Sequence, residues 1–278
     1  MTKTMQPEQM KRSSRMSNEQ KITPGTRHPE TDRKVISAED FQAKSRRSFL
    51  VGLAFAGFGG VGLRQLANHT GEDDSIAGPL RSVHNFNAAV WESLYNPNAL
   101  APTFDQSEQE PIRVNGRHGV REEIDLDSFV MQVIGRNGEV IGEHDMDDLH
   151  SFPYQEMTIE HKCVEGWSGI VTWGGTLFTN FAALYADEVE NSDFVNMETP
   201  DGVFQVNMDM ASMLHPQTML TWTLNQEPLS QLQGAPIRLT TPLKYGIKQI
   251  KRIARLEFSN TRGPDYWEIR GYDWFSGL

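Results

Sequence analysis

His161-Lys162-Cys163-Val164-Glu165-Gly166-Trp167-Ser168, followed by Trp173-Gly174-Gly175, holds the only cysteine of a 278-residue chain. Met157 to Cys163 alternates as a strand does, which places Cys163 at or near a strand end. His161, two residues earlier, then falls on the same face. Lys162 and His161 give the thiol a locally cationic setting, which favours thiolate, and a thiolate is both a nucleophile and a soft metal ligand. Three readings stay open on these residues alone: an inert core thiol, a nucleophile or a metal ligand. A single cysteine excludes an internal disulfide framework and any multi-cysteine zinc or iron–sulfur site.

Outward from this segment, short alternating stretches are divided by turn signals. Phe129–Ile134 and Glu139–Ile141 read as a hairpin about Arg136-Asn137-Gly138. Asp145 is placed to cap a short helix through Leu149 that stops before Pro153. Leu177, Phe181, Leu184 and Tyr185 share a helical face. Further strands are expected at Phe194–Met197, Val203–Asn207, Met219–Leu224, Ile237–Thr240 and Gln249–Phe258. There is no regular βαβα alternation and no internal repeat, so the fold class is α+β with substantial β-sheet in one domain over residues 81–278.

The charge is unevenly spread. Hydrophobic residues make up 38% and charged residues 23%, which excludes a multi-span membrane protein and global disorder. The net charge is −11, with +5 in residues 1–48 and −16 in the rest, so a nucleic-acid partner is not expected. Residues 1–44 read as a disordered polar leader and 68–80 as a polar linker. Between them, residues 45–67 open with Arg46-Arg47 and continue into the uncharged run Phe49–Leu63, 15 residues with five glycines. That run is short for a spanning helix and resembles a twin-arginine export signal, although an uncleaved anchor stays open. Gly57-Phe-Gly59-Gly-Val-Gly62 satisfies a dinucleotide fingerprint, yet the polar stretch after it offers no second strand for a βαβ unit.

The segment Cys163-Val-Glu-Gly-Trp-Ser168 closely resembles the metal-ligand segment of the molybdopterin-dependent sulfite oxidase family. The likeness is strongest to its periplasmic branch of methionine-sulfoxide reductase catalytic subunits. Glu198-Thr199, Leu214-His215-Pro216-Gln217-Thr218, Gly234-Ala-Pro-Ile-Arg238-Leu239 and Leu243-Lys244-Tyr-Gly-Ile-Lys248-Gln249-Ile250-Lys251 follow in that branch's order and spacing. The resemblance implies a sulfite oxidase-type molybdopterin-binding fold, with Cys163 donating its thiolate to molybdenum beside the dithiolene sulfurs of one pterin. It assigns pterin contacts to Thr199, Gln233, Arg238, Gln249, Ile250 and Lys251, and, on an approximate match, to His84 or Asn85.

Chemically, Arg grips phosphate in bidentate fashion and Lys adds a point charge. Arg238, Lys244, Lys248, Lys251, Arg252 and Arg255 form the one basic concentration of an acidic body; the plain alternative is a solvated strand and its flank. Trp167 and Trp173 could wall an apolar pocket or simply pack in the core, and His215 reads as structural. The resemblance further implies two-electron reduction of a small or protein-bound S-oxide, with electrons from a membrane b-type haem subunit. It also implies export of the folded chain by the twin-arginine machinery to the periplasm. Sulfite oxidation is the runner-up, because Glu165 and Trp167 stand where sulfite oxidases hold paired arginines. A metal-free interaction domain and a thiol-nucleophile enzyme are the rivals from other classes.

Overall fold

The computed structural model describes Arg64 and residues 76–278. The leader at 1–44, the glycine-rich fingerprint and the export segment lie outside the described residues, Arg64 apart. Helix α1 (Gly78–Leu94) starts inside the stretch read as linker, with Pro79 in its first turn, where its missing N–H is no loss.

A five-stranded sheet is ordered β2-β1-β10-β5-β6. Its strands are β1 (Met131–Ile134), β2 (Val140–His144), β5 (Phe194–Glu198), β6 (Gln205–Asp209) and β10 (Arg255–Ser259). Only β1 and β10 are parallel. The β1–β2 hairpin turns where the sequence placed it, with Gly138 at φ +81°. The capping prediction also holds. Asp145 accepts from the Asp148 N–H at 2.9 Å and starts α2 (Met146–His150).

The second sheet runs β3 (Gln155–Lys162), β4 (Ser168–Leu177), β7 (Met219–Leu224) and β8 (Glu227–Pro228), with β9 (Arg238–Thr240) also paired to β7. The sequence reading missed β4. It is buried through most of its length and therefore lacks the two-residue alternation of a half-exposed strand. Gly175 is required in it, because a Cβ there would run into the Leu220 carbonyl of β7, where the register shifts. The helix expected over 177–185 is shorter: α3 (Phe178–Ala182), a 3₁₀ turn Ala183–Tyr185, then α4 (Ala186–Glu190).

Met131, Val133, Val195, Met197, Val206, Leu256 and Phe258 of the first sheet share one core with Leu220, Trp222 and Leu239 of the second. A smaller cluster of Ile159, Val171, Trp173, Leu224, Leu229 and Ala235 lies beside it. The strand expected over 249–258 forms only at β10. Residues 246–252 instead make a 3₁₀ turn (Gly246–Lys248) and an irregular strap with Arg252 at φ +53°.

Candidate cofactor cavity

Cys163 opens the connection between β3 and β4, since Lys162 pairs with Ser168 across the hairpin. Its N–H donates to the Trp167 carbonyl at 2.9 Å, and the Gly166 N–H donates back to its carbonyl at 3.0 Å. Gly166 supplies the positive φ, +87°, that this tight return needs. The hairpin thus fixes the cysteine backbone independently of any ligand. Cys163 is buried, and the Asn115 side-chain amide donates to its sulfur at 3.7 Å.

The sulfur lies on the wall of a cavity that opens to solvent. Of the residues expected at the site, Cys163, Gln233, Arg238, Gln249 and Lys251 line it, as do His161, Trp167 and Trp173. Arg113, Arg238 and Lys251 bring positive charge, and among the described residues no Asp or Glu lines the cavity. In an acidic chain this carboxylate-free, cationic pocket is an anion site.

Arg238 donates to the carbonyls of Gln233 at 2.9 Å and Gln249 at 3.2 Å, and lies 4.5 Å over the Trp173 ring. Burial pulls it down to about 10, so it stays charged at neutral pH. Lys251 donates to the carbonyls of Asn115, Gly116 and Leu232 at 2.7, 3.0 and 3.1 Å. Burial, with Arg238 beside it, pulls Lys251 down to about 7. Gly234, at φ +106°, lets the strap approach, because a Cβ there would stand 2.7 Å from the Lys251 Cβ.

The chain neighbours expected to give Cys163 a cationic setting do not supply it. Lys162 turns away to Glu160 at 3.3 Å. His161 is neutral: burial, then the charge of Arg238, pushes it down to about 3. Two of the positive groups of the cavity, Arg238 and Lys251, lie more than seventy positions along the chain. The other basic residues also divide. Lys244 and Lys248 are buried against Asp209 and Asp265. Arg252 donates to the carbonyls of Ala235, Glu122 and Gln231. A solvated strand describes none of these three, and only Arg255, paired with Glu257 near the surface, fits it.

Four expected contacts do not line the cavity. His84 and Asn85 sit on α1, because a continuous helix occupies the region where an irregular polar contact was expected. Thr199 is one layer behind: its hydroxyl donates to Asp201 at 2.6 Å and accepts from the Phe204 N–H at 3.2 Å. It thereby supports Phe204, which does line the cavity. Ile250 is buried in the main core, and its carbonyl accepts from Leu239. Glu165 bonds the Trp167 indole at 3.1 Å and stands outside the cavity, so an acid repelling a dianion is not part of the site. His215 is structural as expected, taking the Gln217 N–H on Nδ1 and facing the Ala99 carbonyl through Nε2.

Arg113, Asn115, His118 and Trp267 were missed. The signal was Arg113-Val-Asn115-Gly116-Arg-His118, cations around an Asn-Gly turn, with Gly116 at φ +69°. The Tyr266 hydroxyl stands 3.0 Å from His118 Nδ1, and burial, then Arg121, Arg270 and Lys251, lower the His118 pKa.

Two buried polar atoms of lining residues, Trp173 Nε1 and Arg238 Nε, have no hydrogen-bond partner among the described residues, while the side chains of His161 and Gln249 face each other. Unsatisfied buried groups cost about 1–3 kcal/mol each, so a pair sharing one cavity calls for a ligand with hydrogen-bonding atoms. With a soft sulfur donor alongside, the set fits a phosphate-bearing pterin that carries a thiolate-bound metal. Fold and cavity together define a domain with a site for an anionic cofactor beside a cysteine.

Residues 118–267 match the family described as "Oxidoreductase molybdopterin binding domain", and the chain belongs to that family. It is 36% identical over 211 residues to a protein of Azospira oryzae named "Putative protein-methionine-sulfoxide reductase subunit YedZ1", covering 74% of this chain and 79% of that one. It is 31% identical to the protein-methionine-sulfoxide reductase catalytic subunit MsrP of Campylobacter jejuni, over 44% of this chain and 46% of that protein. Among solved structures, sulfane dehydrogenase SoxCD of Paracoccus pantotrophus matches with 18% identity and a TM-score of 0.44, over 50% of this chain and 40% of that one. The chain is a molybdopterin-binding oxidoreductase of the sulfite oxidase family.

Proposed function

We propose that this chain reduces an S-oxide such as methionine sulfoxide, works in the periplasm after twin-arginine export, and draws electrons from a membrane b-type haem protein. The observation that carries the reading is the Cys163 sulfur on the wall of a cationic cavity whose lining, among the described residues, holds no carboxylate and leaves Trp173 Nε1 and Arg238 Nε unpartnered. The choice of substrate is supported by the two relatives named for methionine-sulfoxide reduction. Export and the haem partner rest on the leader's Arg46-Arg47 and on the absence of a second redox motif such as C-x-x-C-H. No helix among the described residues is long and apolar enough to cross a membrane.

When bound, a molybdenum–pterin group supplies two-electron oxygen-atom transfer. Cys163 would hold the metal through its thiolate, and Asn115 would orient the sulfur. Arg238 and Lys251 would hold the pterin's anionic end, with Gln233, Gln249 and His161 completing its hydrogen bonds. His161 stays neutral across the working pH range and donates or accepts one hydrogen bond without adding charge. Trp167 and Trp173 would wall the apolar side and keep bulk water from the reacting centre.

Sulfite oxidation is the second reading, favoured by Arg113, an exposed cation of the cavity lining with no ion pair among the described residues. Both readings are tested on one preparation of the folded, exported chain. Methionine sulfoxide reduction with a reduced dye is expected, together with bound molybdenum and a Mo(V) signal. Cys163→Ser should lose the metal and the activity while keeping the fold. Sulfite turnover without sulfoxide reduction would overturn the substrate reading, and molybdenum retained in Cys163→Ser would overturn the ligand.

A further inference from the structure

Among the described residues, helix α1 is bound to the body along one side only. Arg81 donates to the Glu268 carbonyl at 2.7 Å, Ala88 packs with Trp274 and Phe275, and Tyr95, just past the helix, donates to the Ala211 carbonyl at 3.1 Å. The other side carries Leu80, Val83, Phe86, Val90, Trp91 and Leu94. At 100° per residue these six fall within an arc of about 140°. All are exposed, Phe86 by 67%, Leu94 by 66% and Leu80 by 54%. Contiguous exposed apolar surface of this kind marks an interaction site. The arc holds no charged residue, and the only Lys, Arg, Asp or Glu of the helix are Arg81 and Glu92, both off the arc.

We propose that α1 lies in the plane of a lipid bilayer, with this arc sunk into the interface between headgroups and acyl chains. Three observations select that occupant. The chain reaches Gly78 from the uncharged run Phe49–Leu63 across 14 residues, at most about 50 Å of extended chain. A membrane that takes the run therefore also lies within reach of α1. The arc has the composition of an interfacial helix, with Trp91 and Phe86 beside leucines and valines, and its 17 residues span about 25 Å, too short to cross. Residues 49–278 carry a net charge of −16, which opposes a second copy on the same face and is indifferent to a neutral lipid surface. Such a contact would hold the oxidoreductase at a surface, and it does not depend on which substrate the cavity takes.

The test uses the full chain with phosphatidylcholine vesicles and side-chain radical footprinting. Leu80, Phe86, Trp91 and Leu94 should become protected when vesicles are added. The variant Phe86→Asp/Trp91→Asp should lose that protection and bind vesicles about tenfold or more weakly, while dye-driven turnover stays unchanged. Vesicle binding that leaves these four residues as reactive as before would overturn the proposal. So would protection that rises with protein concentration in the absence of vesicles, the signature of a second copy.

Discussion

Lys248 and Arg238 are equally hidden from solvent, yet they serve opposite ends. Lys248 meets Asp265 at 2.7 Å and donates to the Asn207 carbonyl, so its charge is matched inside the protein. Arg238 meets carbonyls and an indole face but no carboxylate, and its Nε has no partner. A buried cation matched by an acid is part of the fold. One buried without an acid beside a cavity is a site waiting for an anion. The same contrast separates Lys244, against Asp209, from Lys251.

The contrast breaks first on stability. Lys248→Ala leaves Asp265 buried and unpaired, and should cost about 3–5 kcal/mol in a denaturant melt of the apo protein. Lys248→Met with Asp265→Asn, which keeps an oxygen for the Trp267 and Glu268 N–H groups, should recover most of it. A small loss in the single variant would mean that the pair is not structural. Arg238→Gln should do the reverse: the apo melt moves little, while pterin retention through gel filtration falls about tenfold or more, the worth of one charge-assisted hydrogen bond.

Lys251 adds a pH dependence. With its pKa lowered to about 7, it is charged below that value and neutral above it. Retention of an anionic cofactor should therefore weaken as pH rises through about 7. Apo stability should move the other way. Between about 7 and the ordinary lysine value of 10.5 the unfolded chain binds the extra proton, so stability rises with pH. Lys244, also pulled to about 7 by burial against the opposing pull of Asp209, adds to the apo slope but not to retention. Measured at several pH values, Lys251→Met should flatten the retention curve. A curve that keeps its slope would assign the titration elsewhere. The smallest effect belongs to Arg255→Ala, whose half-exposed pair with Glu257 should change stability by under about 0.5 kcal/mol.

Much of the site was legible because its chemistry is local. The β3 alternation put His161 and Cys163 on one face, within a few residues of chain. Gln233, Arg238, Gln249 and Lys251 were legible from the ordered motifs. Asn115 and His118 were not, because nothing in a short loop between polar stretches shows that it will fold over a hairpin some fifty residues later. β4 was hidden by its own burial, and α1 by the assumption that polar residues near the start of the body face the cofactor. In α1 the polar and apolar residues share a helix whose apolar side looks outward.

By itself, the sequence determined an α+β body with one cysteine at a strand end, an ordered set of cofactor motifs, and a basic leader ahead of an acidic domain. Only the tertiary structure decided which cations serve the cavity. Lys162, one residue from Cys163, turns to Glu160, while Arg238 and Lys251 arrive from another sheet edge and an irregular strap. Charge acts through space and is screened or matched by whatever packs beside it, so proximity along the chain says little about which charges line a buried cavity.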